Sequence, residues 1–370
     1  MSKNGRKVTI AIGVLIVAGI SISLWFFSRP ILVGVVVPIT TSLGNEENLF
    51  MRYYQDRHPK INLRSVRFII TNPPPIEAEV KSAYQRLDAQ GVSVIVGGVL
   101  SQDGSWLVDA AATAGIPTFG ITSSSALLSG KRDSFFRLVP TNASQAMAVG
   151  QYYQKKGLKR LVVVTSVDNT AYVDPYLKVT KENFSGETVQ IPFISAAEVS
   201  QKINDARPDG VFTILPAKDV IQVIKVARDL RPGILIGSSS WGSVEILSLY
   251  SGPLLDGVQF FTMRMDIQGE GYRADIADFE DKYHMKATNG SHYSASILHI
   301  VYEAIRKVGA SREAIKAYFQ TAREYDTSYG KVAIDDFGDG MTDRITILQS
   351  VNGFMTMKET IELQQPGQAQ

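Results

Sequence analysis

Ile116-Pro117-Thr118-Phe119-Gly120-Ile121 runs without a charge into Thr122-Ser123-Ser124-Ser125, and Ile234-Leu235-Ile236-Gly237 runs into Ser238-Ser239-Ser240. Each apolar run is too short for a typical helix and reads as a strand buried on both faces of a parallel sheet. In open α/β sheets, ligands settle just beyond the carboxyl ends of the strands. Hydroxyls and backbone N–H groups gathered there hold a small polar molecule without any catalytic group. Serine-rich turns are also ordinary loop chemistry, so the weight lies on the matched placement of the two triplets in two similar halves, which points to a cleft.

Outward from these runs, strand and helix alternate. Strands are expected at 31–37, 63–70, 92–96 and 117–121, with helices at 45–57, 75–90 and 103–114 between them. A second series places a helix at 144–156, strands at 161–165, 188–192, 211–215, 234–237 and 257–262, and helices at 175–184, 199–206 and 218–230. Pro75 is expected in the first turn of its helix, where no N–H is missed. Such alternation specifies parallel sheets with helices on both faces. The chain then turns helical at 272–283, 292–308 and 311–321. It closes with strand-like pieces at 331–334 and 345–351, a turn at Asn352-Gly353 and a polar tail at 364–370.

A length of 370 residues suggests about two domains. Lysine and arginine number 38 against 36 acids, and the scattered +2 net charge argues against a nucleic-acid partner. The absence of cysteine excludes disulfides, thiolate metal sites, a cysteine nucleophile and a lipidated N-terminal cysteine. Val8 to Phe27 is uncharged and long enough to span a bilayer as a helix. Its dozen Val, Ile, Leu and Phe residues contribute about −5 kcal/mol to insertion. Lys3, Arg6 and Lys7 precede it, which keeps residues 1–7 in the cytoplasm and sends the remainder outside. That length favours a retained anchor over a cleaved signal peptide, for which Ser21-Ile22-Ser23 is a weak site.

Enzymatic chemistry finds little support. Ser238-Ser239-Ser240-Trp241-Gly242 lacks the first glycine of a nucleophile elbow, and Ser101 has neither flanking glycine in place. His292 and His299 do not share a ligand-pair spacing. Asp335-Asp336-Phe337-Gly338-Asp339-Gly340 hints at a calcium loop but breaks its spacing, with Thr346 where a bidentate Glu belongs. No catalytic residue, metal or cofactor is expected.

Several strings in order resemble one family. Val33-Gly34-Val35-Val36-Val37-Pro38, Gly91 to Gly98 followed by Ser101, Phe136-Arg137, Ala143–Tyr153, Phe279-Glu280-Asp281-Lys282-Tyr283, Tyr293, Ala304-Ile305 and Tyr329-Gly330-Lys331 are similar to the type I periplasmic solute-binding proteins of the branched-chain amino acid (leucine/isoleucine/valine-binding) group, receptors of ABC transporters. The resemblance spans about residues 31–358. It implies two Rossmann-like lobes with parallel sheets, joined by a three-crossover hinge and here preceded by one N-terminal transmembrane helix. Lobe 1 would comprise 31–140 plus 264–326, and lobe 2 would comprise 141–263 plus 327–363.

By the same resemblance, Ser101, Ser123 and Ser124 grip the ligand's carboxyl and amino ends, and Tyr172 is a pocket tyrosine, although Val173 replaces the usual following glycine. Amino-acid binders of this family commonly put an acid where this chain reads Ser240-Trp241-Gly242. An unpaired buried ammonium would cost several kcal/mol. Either Asp103, Asp168 or Glu245 substitutes, or the ligand is not an α-amino acid. Trp241 and Trp106 offer either a flat apolar wall or plain core packing. The implied function is extracytoplasmic capture of an amino acid or related amide or carboxylate by hinge closure, for an ABC permease. The alternative is a sensing module that signals to a membrane partner.

Overall fold

The computed structural model describes residues 29–242, 253–262, 270–321, 323–327, 330–352 and 354–363. The expected span at 8–27 and Glu245 lie outside them. Among the described residues, no helix is long and apolar enough to cross a membrane.

Strands β1 (Ile31–Val36), β2 (Lys60–Ile61), β3 (Arg64–Thr71), β4 (Val94–Gly97), β5 (Thr118–Gly120) and β6 (Phe135–Arg137) form one sheet in the order β2-β3-β1-β4-β5-β6. All pairings are parallel except that of short β2 with β3. Central β1 and β4 carry Val33, Val35, Val94 and Val96, all fully buried, as strands covered on both faces require. The second sheet takes β7 (Arg160–Thr165), β8 (Glu187–Pro192), β9 (Gly210–Ile214), β10 (Leu235–Ser238) and β11 (Gln259–Thr262) in parallel. Between β11 and the last two strands the chain forms a small antiparallel sheet of β12 (Arg323–Thr327), β13 (Gly330–Ile334) and β14 (Gly340–Met341). Finally β15 (Arg344–Val351) and β16 (Phe354–Glu362) add antiparallel to the second sheet, giving β16-β15-β11-β10-β9-β7-β8.

Two departures from the sequence reading matter for the site. The helix expected from Pro175 begins at Thr170 and carries that proline in its interior, because the Asn169 carbonyl accepts the N–H groups of Tyr172 and Val173, each at 3.0 Å. The strand expected at 331–334 is one arm of a hairpin whose other arm, Arg323–Thr327, was not expected, so residues 326 and 327 lie within the small β12–β13–β14 sheet.

The C-terminal third closes over the first sheet. Glu46, on helix Ser42–Arg57, accepts from the N–H and Oγ1 of Thr288 at 2.7 and 2.6 Å, and from the N–H of Ser291 at 3.1 Å. These donors belong to the start of helix Asn289–Val308. Farther along, Arg312 donates to Asp88 at 2.7 Å and to the Val92 carbonyl at 2.8 Å.

Where the chain leaves the first sheet, Arg137 is completely buried. Its Nε donates to Asp339 Oδ1 at 2.8 Å, and its Nη1 donates to the carbonyls of Ser123 and Ser125 at 3.0 and 2.8 Å. The Arg137 N–H meets the Gly338 carbonyl at 3.0 Å, and Pro140 bridges Gly340. Two of the connections between the sheets are therefore tied together beside the first serine triplet. Asp335 spends its own carboxylate on the N–H groups of Phe337 and Asp339, at 2.9 and 3.0 Å, which makes this acidic string a self-capped turn.

Candidate functional site

Strand order changes direction between β1 and β4 in the first sheet and between β7 and β9 in the second. At such switch points adjacent loops leave in opposite directions and open a crevice. The loops that follow these four strands meet across one cleft of about 550 Å³, with Thr41 and Ser101 on one side and Asn169 and Ala217 on the other. Helices starting at Ser42, Ser101, Thr170 and Ala217 thus aim their N-termini at a common space. Helices Thr170–Glu182 and Ala217–Leu230 have no side-chain cap. Their first-turn N–H groups and positive dipole ends favour an anion.

Of the residues singled out in the sequence, Ser101, Ser124, Tyr172, Ser240 and Trp241 line this cleft. Ser101 opens its helix, and its Oγ accepts the Ser125 N–H at 3.1 Å, leaving the hydroxyl proton available. Ser123 does not line the cleft. Its hydroxyl is fully buried and lies 2.8 Å from the Gly98 carbonyl and 2.9 Å from that of Leu100. The absence of side chains at Gly98 and Gly104 makes this possible: a Cβ at either would come within 2.8 or 2.4 Å of Ser123 Oγ. Ser123 is structural support, and the serine beside it faces the cleft.

The second wall rests on aromatic rings. Tyr172 and Trp241 meet edge to face with centroids 5.5 Å apart, and Tyr176 lies 5.7 Å behind Tyr172. Burial pushes the Tyr172 hydroxyl up to about 12, so it remains protonated. Gln145 Oε1 accepts from the Ser240 N–H at 3.2 Å and from Tyr176 Oη at 2.9 Å, while its Nε2 donates to the Phe261 carbonyl at 2.9 Å. Asn142 links the two sides: its N–H donates to the Ser124 carbonyl at 2.7 Å and its Nδ2 to the Tyr172 carbonyl at 2.8 Å. Trp106 packs against the core beside the first sheet rather than in the cleft.

The charged side chains lining the cleft among the described residues are Asp168, Lys218 and Asp219. Burial raises Asp219, Lys218 pulls it down, and the Asp168 charge raises it again. Asp103 is not available to a ligand. Its carboxylate accepts the N–H groups of Val99 and Leu100, at 2.8 and 2.9 Å, at the start of its own helix. Burial nonetheless pushes its pKa up to about 6 against those donors.

Because that folded value lies above the unfolded one near 3.9, Asp103 contributes stability that is full below about pH 4 and disappears as pH rises through about 6, a change of ~3 kcal/mol. Urea unfolding of wild type and Asp103→Asn at pH 4 and 7 reads this as a difference in slope. Equal slopes would refute it.

Sequence reasoning missed Thr122 and Asn169. Asn169 is 2% exposed, lines the cleft and has its Oδ1 without a partner among the described residues. The signal available was the polar string Ser166-Val167-Asp168-Asn169-Thr170 directly after a buried strand, the same arrangement that marks Thr122 to Ser125.

A family model for periplasmic binding proteins matches residues 74–353. Among solved structures, the leucine-binding protein LivK of Thermotoga maritima superposes with a TM-score of 0.77 at 19% identity, covering 90% of this chain and 99% of its own. A solute-binding protein of an ABC transporter from Rhodopseudomonas palustris, in complex with 3,4-dihydroxybenzoic acid, gives 0.78 at 20% identity, with 92% and 99% covered. The isoleucine complex of LivJ from Streptococcus pneumoniae gives 0.77 at 16% identity, with 90% and 100% covered. At these identities the likeness is one of fold. No curated protein sequence matches the chain.

Proposed function

This chain belongs to the periplasmic binding protein family, solute receptors of ABC transporters and not enzymes, and on that premise we propose that it captures a small carboxylate with an apolar body in the cleft between its sheets. The observation that carries this reading is the convergence of four helix N-termini from two switch points on one cleft. Dipoles and hydroxyls supply the anion-binding groups, with Ser101 and Ser124 on one wall and Tyr172 and Ser240 on the other. The Tyr172–Trp241 pair supplies a flat face for the ligand's apolar part. The relatives' ligands, isoleucine and 3,4-dihydroxybenzoic acid, share a carboxylate and differ in their bodies, which suits a common anion grip.

The family implies an extracytoplasmic body. We take residues 31–140 plus 264–326 as one lobe and 141–263 plus 327–363 as the other, closing about the connections tied by Arg137. Contacts made only when shut shift the open–closed equilibrium. Residues 8–27 tether the receptor to the membrane beside its permease.

A thermal-shift screen of amino acids and aromatic or aliphatic carboxylates tests the reading, since a ligand at 100 times its Kd stabilises by about 2.7 kcal/mol. On any hit, Ser101→Ala and Tyr172→Phe each weaken binding by roughly fivefold, the worth of one hydrogen bond near 1 kcal/mol. Unchanged affinity in both variants would remove the cleft from consideration.

A further inference from the structure

Beneath the cleft, Glu47 is fully buried on helix Ser42–Arg57, and its Oε2 has no partner among the described residues. Its Oε1 lies 2.9 Å from Thr122 Oγ1, and Thr122 Oγ1 lies 2.7 Å from the Val99 carbonyl. A threonine hydroxyl has one proton to give and two lone pairs to offer. If Glu47 were ionised, Thr122 would have two acceptors to satisfy with that one proton, and one of them would stay unpaired in a dry interior. With the proton on Glu47 Oε1, both contacts are made: Glu47 donates to Thr122, and Thr122 donates to Val99.

The surroundings agree. The charges that face Glu47 are carboxylates, Asp103 from helix Ser101–Ala114 and its own neighbour Glu46. Helix Asn289–Val308 meets its methylene with Gly290, where a Cβ would come within 2.9 Å of Glu47 Cγ. Burial holds the carboxyl well above the usual range; the Thr122 hydrogen bond pulls it down only in part, and the charges of Asp103 and Glu46 push it up again.

We propose that Glu47, outside the cleft, sets the hydrogen-bonding polarity of Thr122 inside it, so that the bound solute must present a donor to Thr122. Thr122 lines the cleft and is partly exposed. With its proton committed to Val99 and one lone pair taken by Glu47, it retains one lone pair and acts there only as an acceptor. Ser101, whose lone pair is engaged by Ser125, offers the opposite polarity nearby. The two side chains together select a solute bearing a carboxylate and a separate N–H or O–H group. This specificity rests on the receptor reading above; the protonation of Glu47 does not.

Two measurements on the full chain test it. The first is carbon-13 NMR of glutamate-labelled protein, with the Glu47 carboxyl identified by its loss in Glu47→Gln. The expected result is a carboxyl still protonated at pH 7, and titration in the ordinary carboxylate range would overturn the proposal. The second is thermal shift with isoleucine, 4-hydroxybenzoate and benzoate, of which only benzoate lacks a donor. Stabilisation by a donor-bearing compound should exceed that by benzoate. Thr122→Val should weaken its binding by about tenfold, and Glu47→Gln, whose amide can still donate to Thr122, by no more than about threefold. Benzoate binding as tightly as the others, or an unaltered Thr122→Val, would overturn the specificity. No stabilisation by any of the three would overturn it together with the carboxylate reading, while the NMR titration still decides Glu47 on its own.

Discussion

Arg137→Met is expected to lower the unfolding free energy by about 3–5 kcal/mol, because it strands a buried carboxylate. Asp339 is about 6% exposed and, among the described residues, would keep only the Gly130 N–H, at 2.8 Å. At the same time the Ser123 carbonyl would lose its donor, and the Ser125 carbonyl would be left with the Leu128 N–H at 3.2 Å. The effect is therefore larger than the worth of one ion pair. It also reaches the cleft, since both carbonyls belong to the loop that presents Ser124. Urea unfolding of Arg137→Met and of Arg137→Met with Asp339→Leu separates the causes. The double variant should recover part of the loss by removing the stranded charge. A single variant within about 1 kcal/mol of wild type would show that the pair is dispensable.

Phe261→Ala comes next, at about 3–5 kcal/mol for a large ring removed from a closed core. Phe261 is fully buried, with ring centroids 5.4 Å from Tyr152, 5.9 Å from Tyr153 and 5.7 Å from Phe212. None of these neighbours can fill the hole without leaving the others. Its carbonyl fixes Gln145, which in turn holds the Ser240 N–H. The variant should lose ligand affinity as well as stability. Phe261→Leu, which keeps most of the apolar volume, should restore much of both. Calorimetric unfolding with and without ligand reads the two together, and an intact affinity in a destabilised Phe261→Ala would detach the aromatic slab from the site.

The parallel strands were legible because burial on both faces leaves an unbroken run of apolar residues, as in Val94 to Val96 or Leu161 to Val164. Less legible was the charged strand Arg323–Thr327, which reads as a loop until β13 pairs with it. Strand Phe354–Glu362 was missed for a similar reason: it is an edge, with Met357 about 71% exposed, and needs no apolar face of its own. The cleft was legible as two serine loops. Which serine faces it was not, because that choice depends on Gly98 and Gly104 approaching Ser123 from elsewhere in the chain. Thr122, Asn169 and Glu47 escaped notice because their neighbours are brought together by strand order, which no local string encodes.

The place of β15 in the second sheet bears on when this protein can fold. Strand β11 is interior only once residues 344–351 have paired with it, and the first sheet gains its cover from residues 288–312. A chain still attached to the ribosome at residue 340 has an open sheet edge able to pair with a neighbour. Completion of the second sheet must wait until residues 344–351 have been made, and a chain held short of them keeps that edge of β11 unpaired.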